Sequence, residues 1–192
     1  MPQVAIYDAC VLHPAPLRDL LLRIAQAGLV RARWTERILD ECFESILRER
    51  PELRPAALSR TRRLMNEAVA DCLVSGYDTL IADLRLPDSD DRHVLAAAIR
   101  AKARVIVTAN LRDFPKDALA PHRIGARHPD DFVLGLLKVA PGAVVQIVTE
   151  QAAALRSPPR TVEDLMSTLR DVGLVRTVAK LRELRGTPTD AP

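Results

Sequence analysis

The sequence is poor in aromatic residues and cysteines and has no long apolar run, and each shortage excludes a class of protein. Only 3% of the 192 residues are aromatic, which argues against a binder that stacks single-stranded bases on aromatic rings. Three cysteines without a C-x-x-C spacing argue against a disulfide framework or a zinc site. No stretch approaches the roughly 20 apolar residues of a membrane span, and Asp8 and Asp19 interrupt any signal-peptide-like run. We therefore expect a cytoplasmic protein with reduced thiols and no membrane association.

The charge balance is mildly basic, which is compatible with a polyanionic partner but does not require one. The net charge is +3, and arginine dominates the cations. The planar guanidinium group suits bidentate contacts with phosphate. A GC-rich genome that encodes arginine in place of lysine would explain the same excess, so both explanations stay open.

Apolar strands alternate with amphipathic helices along the first 140 residues, a pattern typical of a parallel α/β sheet. Residues 3–7 and 104–109 predict buried strands, and residues 122–126 predict a short further strand. After residue 141 the pattern is helical only. We therefore predict an α/β domain over residues 1–140, followed by a helical C-terminal extension over residues 141–192.

Local signals in the intervening segments carry further predictions. Thr35 is expected to be the N-cap of a helix, and residues 29–34 are interpreted as a short connection before it. Residues 79–82 favour a strand. Ser89 is expected to cap the helix that begins near Asp91.

Acidic residues recur where strands end and helices begin. Asp8 and Asp113 each follow a predicted strand, Glu41 lies on an early helix, and Asp90 and Asp91 open a later helix. The carboxyl ends of parallel strands face the crevice where open α/β sheets bind ligands. Converging carboxylates need a counter-ion, and a hard divalent cation such as Mg²⁺ or Mn²⁺ is the most economical one. The pattern therefore predicts a metal-dependent enzyme that cleaves phosphodiesters.

Each acid also has a purely structural explanation when it is taken alone. Asp8 would cap a turn, and Asp91 would stabilise a helix N-terminus by about 0.3–1 kcal/mol. Glu41 would lie on a solvated helix face, and Asp113 in an ordinary polar loop. The combined placement of these acids on the predicted elements favours the metal site.

Four short motifs surround these acids. They are D-x-x-v-L at residues 8–12, an apolar pair before an acid at 38–41, D-x-x-v-l-A-A-A at 91–98, and v-T-x-N-x-x-D-F at 107–114. Together, over about residues 3–137, they resemble the PIN-domain ribonucleases that act as VapC-like toxins of bacterial toxin–antitoxin pairs. The resemblance implies a PIN-like three-layer fold with a central parallel sheet flanked by helices.

The resemblance also implies roles for individual residues. The four residues that it implies as catalytic groups and as ligands of Mg²⁺ or Mn²⁺ are Asp8, Glu41, Asp91 and Asp113. Asp90 would be a further, outer ligand. The residues assigned to substrate binding are Thr108, Asn110 and Arg112, of which Asn110 and Thr108 would orient Asp113 or the reacting water and Arg112 would meet a phosphate.

The activity implied by the resemblance is that of a divalent-metal-dependent endoribonuclease, the toxin of a toxin–antitoxin pair. Its expected partners are an RNA substrate, a small antitoxin protein and a second copy of the chain in a homodimer. One departure from the family stands beside Asp8, because Cys10 occupies a position where many members carry asparagine. A contact to Asp8 is therefore expected to be missing.

Three other interpretations compete with this one. A haloacid-dehalogenase-like phosphatase needs a second acid where this chain has Cys10, and a receiver domain needs a strand-end lysine near a C-terminus that here is helical. A catalytically inactive PIN scaffold that acts only as a binding module stays open, although all four acids are present.

Overall fold

A four-stranded parallel sheet lies at the centre of the structure, a computed structural model that describes residues 2–186. The strands are Val4–Tyr7 (β1), Arg31–Arg33 (β2), Val105–Val107 (β3) and Gly125–Arg127 (β4). Their order in the sheet is β2-β1-β3-β4. The chain thus moves from β1 to β2 on one side and then returns to β3 on the other, which makes the gap between β1 and β3 the topological switch point.

Helices flank this sheet and continue beyond it to the end of the described chain. They span Ala9–Leu12 (α1), Ala15–Gln26 (α2), Glu36–Glu49 (α3), Pro55–Ala68 (α4), Asp78–Ile81 (α5), Arg92–Arg100 (α6), Lys116–Leu119 (α7), Pro129–Val139 (α8), Pro141–Ala154 (α9), Val162–Asp171 (α10) and Val175–Gly186 (α11). Within residues 2–186, none of these helices has the length and apolar character that a membrane crossing requires.

An aromatic cluster joins the sheet to the helices that pack on it. Tyr7 at the end of β1 stacks on Trp34, with 6.4 Å between ring centroids, and meets Phe132 of α8 edge-on at 6.2 Å. All three rings are buried. Burial of each such side chain contributes about 1.5–3 kcal/mol, so this cluster secures β1 and α8 to each other.

The register of β1 and β3 determines what lies at the switch point. Tyr7 pairs with Val107, and the backbone N–H of Asp8 donates to the carbonyl oxygen of Val107 at 3.1 Å. Asp8 and Thr108 therefore leave the sheet side by side. α6 packs against both strands, which brings its N-terminus into the same neighbourhood.

The predicted fold class is confirmed, and two local predictions are wrong. Residues 29–34, interpreted as a connection, contain the edge strand β2. Only Ala32 of this strand is buried, and it stands between two arginines, so the sequence shows no apolar run that would indicate a strand. Residues 79–82 fall largely in α5, a single helical turn that packs on α6. The expected N-cap is confirmed, since the Thr35 hydroxyl accepts from the Ile38 N–H at 3.0 Å.

A buried carboxylate ties the last helix to the rest of the fold. Asp130, at the start of α8, accepts from the backbone N–H groups of Arg176 at 2.9 Å and Thr177 at 2.8 Å. These N–H groups belong to the first turn of α11, where no intrahelical acceptor exists. Asp130 therefore replaces a local cap across the α8–α11 contact. The domain boundary at residue 140 stays a prediction, and residues 187–192 of the predicted extension lie outside the described residues.

We expect Asp130→Asn to lower the free energy of unfolding by about 2 kcal/mol or more, because an amide offers one acceptor in place of two and points a donor at a buried N–H. Asp131→Asn is the matched control, since its exposed side chain forms only a surface ion pair with Arg176 and should cost less than about 1 kcal/mol. Urea unfolding followed by circular dichroism measures both variants. Equal losses would show that Asp130 does not hold α11.

Candidate metal centre

Asp8 is oriented by donors from both strands of the switch point. Its side chain is buried at the end of β1. Oδ1 accepts from the Ala9 N–H at 2.7 Å and so caps α1, while Oδ2 accepts from the Thr108 hydroxyl at 2.7 Å and from the Cys10 thiol at 3.1 Å. The carboxylate is thus held in one orientation by groups up to 100 residues apart.

Cys10 supplies the contact that the sequence led us to expect to be missing. Burial, together with the negative charge of Asp8, raises the pKa of the Cys10 thiol to about 12. The group therefore stays protonated and donates to Asp8. The Ala109 N–H approaches the Cys10 sulfur at 3.3 Å, which fixes the thiol against the loop after β3.

Thr108 does not fit the substrate-binding role predicted for it. The residue is fully buried, its hydroxyl donates to Asp8, and the same oxygen accepts from the Asn110 N–H at 3.0 Å. A side chain without solvent exposure cannot touch a bound RNA. Thr108 instead positions Asp8.

Asp91 lies at the N-cap position of α6 and forms no capping hydrogen bond with its side chain. The cap predicted at Ser89 is wrong, because Asp91 occupies the N-cap position of α6. In the turn before it, Asp88 accepts from the Asp90 N–H at 2.8 Å. Burial, followed by the charges of Asp8, Asp88 and Asp113, raises the pKa of Asp91 to about 6. The structure therefore brings three other carboxylates close enough to Asp91 to disfavour its ionisation.

The loop after β3 carries Asp113 together with its partners. Asp113 is mostly buried, and its Oδ2 accepts from the side-chain amide of Asn110. The Arg112 guanidinium lies 3.9 Å from the other carboxylate oxygen and is 88% exposed. Asn110 therefore orients Asp113, whereas Arg112 faces solvent and remains accessible to a phosphate.

The Glu41 side chain, on α3, accepts hydrogen bonds from two nitrogen donors. Its Oε1 accepts from His93 Nε2 at 3.0 Å and from Arg37 Nε at 3.1 Å. Burial alone would raise the pKa of Glu41, but the hydrogen bonds and charges of His93 and Arg37 outweigh it and lower that pKa. His93 stands two residues after Asp91 on α6, so it links Glu41 to the other acids.

Asp8, Asp88 and Asp113 are neighbours of Asp91, and Glu41 is linked to this group through His93. Within residues 2–186, no three His, Cys, Asp or Glu side chains are grouped tightly enough to hold a metal ion. The backbone N–H of Asp90 donates to Asp88, and its carbonyl oxygen accepts from Arg37 at 3.5 Å. Carboxylate oxygens are the ligands that Mg²⁺ and Mn²⁺ prefer, so the donor chemistry fits a hard cation.

Three residues of this site were not predicted. Asp88 acts on Asp91 through its charge, and His93 and Arg37 bind Glu41. The one signal of His93 in the sequence is its place directly before the helical stretch of valine, leucine and alanine at residues 94–98. Its partner on α3 could not be identified from that signal.

Comparisons with known proteins bear on the sheet and on the C-terminal helices separately. Residues 4–112 match a family model described as PIN domain, and residues 129–183 match one described as VapC50 C-terminal domain. Over 109 residues the chain is 43% identical to "Putative ribonuclease VapC50" of Mycobacterium tuberculosis (strain ATCC 25618 / H37Rv). This match covers 57% of the chain but only 63% of that relative. No solved structure is significantly similar to the chain.

We expect Asp91→Asn to raise the melting temperature of the metal-free protein, because the amide removes a half-buried charge that Asp8, Asp88 and Asp113 repel. Asp83→Asn is the control, since it removes the same charge from an exposed loop. Both variants are compared with the wild type by thermal unfolding in EDTA at pH 7.5. If Asp91→Asn melted no higher than the control, the carboxylates would not repel one another as described.

Proposed function

The chain belongs to the PIN-domain family, and from this premise we propose that it is a divalent-metal-dependent endoribonuclease. Membership confirms the resemblance that the four motifs of the sequence indicated. Within a toxin–antitoxin pair such an enzyme would be the toxin. Support for this proposal comes from the arrangement of charged groups at the switch point.

The observation that carries the proposal is the state of Asp91. Its carboxylate is half-buried, makes no capping hydrogen bond, and lies beside the charges of Asp8, Asp88 and Asp113. A fold retains such a cluster at a cost in stability unless something offsets the repulsion. A divalent cation offsets it directly, and the open carboxylate of Asp91 leaves a ligand position for it.

The residues that would hold Mg²⁺ or Mn²⁺ are Asp8, Glu41, Asp91 and Asp113, with Asp90 as an outer ligand. A bound cation of this kind supplies activation of a water molecule and stabilisation of the charge that develops on the scissile phosphate.

The surrounding side chains keep these carboxylates in place. Thr108 and Cys10 hold Asp8 at the end of β1, and Asn110 holds Asp113 in the loop after β3. Arg112 extends into solvent next to this loop and would meet a phosphate of the RNA backbone. The carboxylates would thus be positioned before substrate arrives, which lowers the cost of organising the reaction.

Substrate and partners follow from family membership and are proposed on that basis. The relative in M. tuberculosis is named a ribonuclease, and we propose RNA as the substrate of this chain too. We also propose a small antitoxin protein as a partner, a homodimer as the assembly and the cytoplasm as the location. Exposed cations beside the acidic centre, Arg37 and Arg112, are suited to phosphate.

We expect RNA cleavage in Mn²⁺ or Mg²⁺ that EDTA abolishes and that Asp8→Asn lowers more than about 100-fold, since Asp8 would be a direct ligand. Asp83→Asn, with the same change of charge in an exposed loop, should cleave at the wild-type rate. Initial rates on a fluorescent single-stranded RNA measure all arms, and thermal unfolding checks that each variant folds.

Two outcomes would contradict this proposal in different ways. Cleavage that survives both EDTA and Asp8→Asn would reject the metal-dependent reaction. RNA binding without cleavage, together with no Mn²⁺ binding by the wild type, would establish the inactive scaffold instead.

A further inference from the structure

His93 is a buried histidine whose ring makes one hydrogen bond. It lies on α6 with 1% of its surface exposed, and Nε2 is 3.0 Å from Oε1 of Glu41. Its other nitrogen, Nδ1, is buried with no hydrogen-bond partner in the described residues. The five residues that follow it on α6, Val94 to Ala98, are buried and apolar.

Core packing alone does not explain a histidine at this position. A buried ring nitrogen without a partner destabilises the folded state, and an aliphatic side chain would avoid that cost. The hydrogen bond to Glu41 is what histidine offers here and leucine does not. Because Glu41 only accepts when ionised, the ring must carry its hydrogen on Nε2.

Both hydrogen-bond donors of Glu41 bind the same carboxylate oxygen. His93 and Arg37 both bind Oε1, and within residues 2–186 no hydrogen bond reaches Oε2. The Arg37 side chain is 47% exposed, so water can replace its contact. The nitrogen of His93 is shielded from water, so a lost contact there is not replaced.

The position of His93 on α6 also connects two of the proposed ligands. Asp91 stands at the N-cap of α6, and His93 follows two residues later. The same helical turn therefore carries one carboxylate and the donor that orients another from α3. This hydrogen bond restrains the Glu41 carboxylate relative to α6.

We propose that His93 is a positioning residue, which holds Oε1 of Glu41 through Nε2 and thereby presents Oε2 to the divalent cation. This inference rests on the proposed metal-dependent function. It assigns His93 no contact with RNA or with the cation. A residue that acts in this way changes metal affinity more than the rate at saturating metal.

Replacements of similar size but different reach test this assignment. In His93→Gln the side-chain amide extends to about the place of Nε2 and can donate to Glu41, whereas in His93→Asn it ends near Nδ1 and falls short. His93→Leu removes the donor and the orphan nitrogen together. His122→Asn is the matched control, because that histidine is exposed beside Ile99 and Lys102 at the far end of α6.

We expect His93→Asn and His93→Leu to weaken Mn²⁺ binding by about 10–100-fold and to raise the Mn²⁺ concentration needed for half-maximal RNA cleavage equally. The cleavage rate at saturating Mn²⁺ should change far less. His93→Gln and His122→Asn should bind Mn²⁺ as the wild type does. Titrations of the full chain followed by Mn²⁺ electron paramagnetic resonance give the dissociation constants, and thermal unfolding in EDTA shows that each variant folds.

The outcomes separate this inference from the function on which it rests. Wild-type affinity in both His93→Asn and His93→Leu, with the wild type binding Mn²⁺ and cleaving RNA, would overturn the role of His93 alone. Equal loss in His93→Gln and His93→Asn would overturn it as well, because hydrogen-bond reach would then be irrelevant. No Mn²⁺ binding by the wild type would overturn the proposed function, and the positioning role with it.

Discussion

Parallel pairing of β1 with β3 is the constraint on which the candidate site depends. It places Tyr7 opposite Val107, so that the next residue of each strand, Asp8 and Thr108, emerges at the same edge of the sheet. A buried hydroxyl then donates to a buried carboxylate across that edge. The helix that packs on both strands and the loop that leaves β3 bring further acids to the same place. Convergence of these groups is thus a consequence of sheet topology.

Carboxylates at this edge differ in how their charge is accommodated. Asp8, Asp113 and Glu41 each accept hydrogen bonds from neighbouring side chains, which fix the orientation of their carboxylates. Asp91 makes no capping hydrogen bond, and its burial and the charges of its acidic neighbours raise its pKa. The candidate site thus combines three oriented carboxylates with a fourth, Asp91, whose charge is disfavoured by its surroundings. Such an imbalance is typical of functional sites, because a purely structural cluster would be neutralised by basic side chains.

The sequence predicted the parts of this molecule that are encoded locally. Continuous apolar runs identified β1 and β3, and Thr35 identified the start of α3. β2 was not predicted, because two of its three residues are arginines on the edge of the sheet. Asp8 and Asp91 stand at the end of β1 and the start of α6, whereas Glu41 lies inside α3 and Asp113 in the loop after β3, where the short motifs around them singled them out.

Contacts between elements far apart in the sequence could not be predicted from sequence patterns. The partnership of His93 with Glu41 depends on how closely α6 approaches α3, and that of Asp130 with Thr177 joins residues 47 apart. Cys10 shows the same limit in reverse, because a residue that departs from the family pattern still donates to Asp8 once folded. Pairwise geometry of this kind arises from packing, which local pattern does not encode.

Crystals soaked in Mn²⁺ and measured for anomalous scattering would test the central claim most directly. We expect a Mn²⁺ peak at the carboxyl ends of β1 and β3, within bonding distance of oxygens from Asp8, Asp91 and Asp113, with Oε2 of Glu41 turned toward it. A peak bound elsewhere, or no peak in crystals whose carboxylates are accessible to solvent, would contradict it.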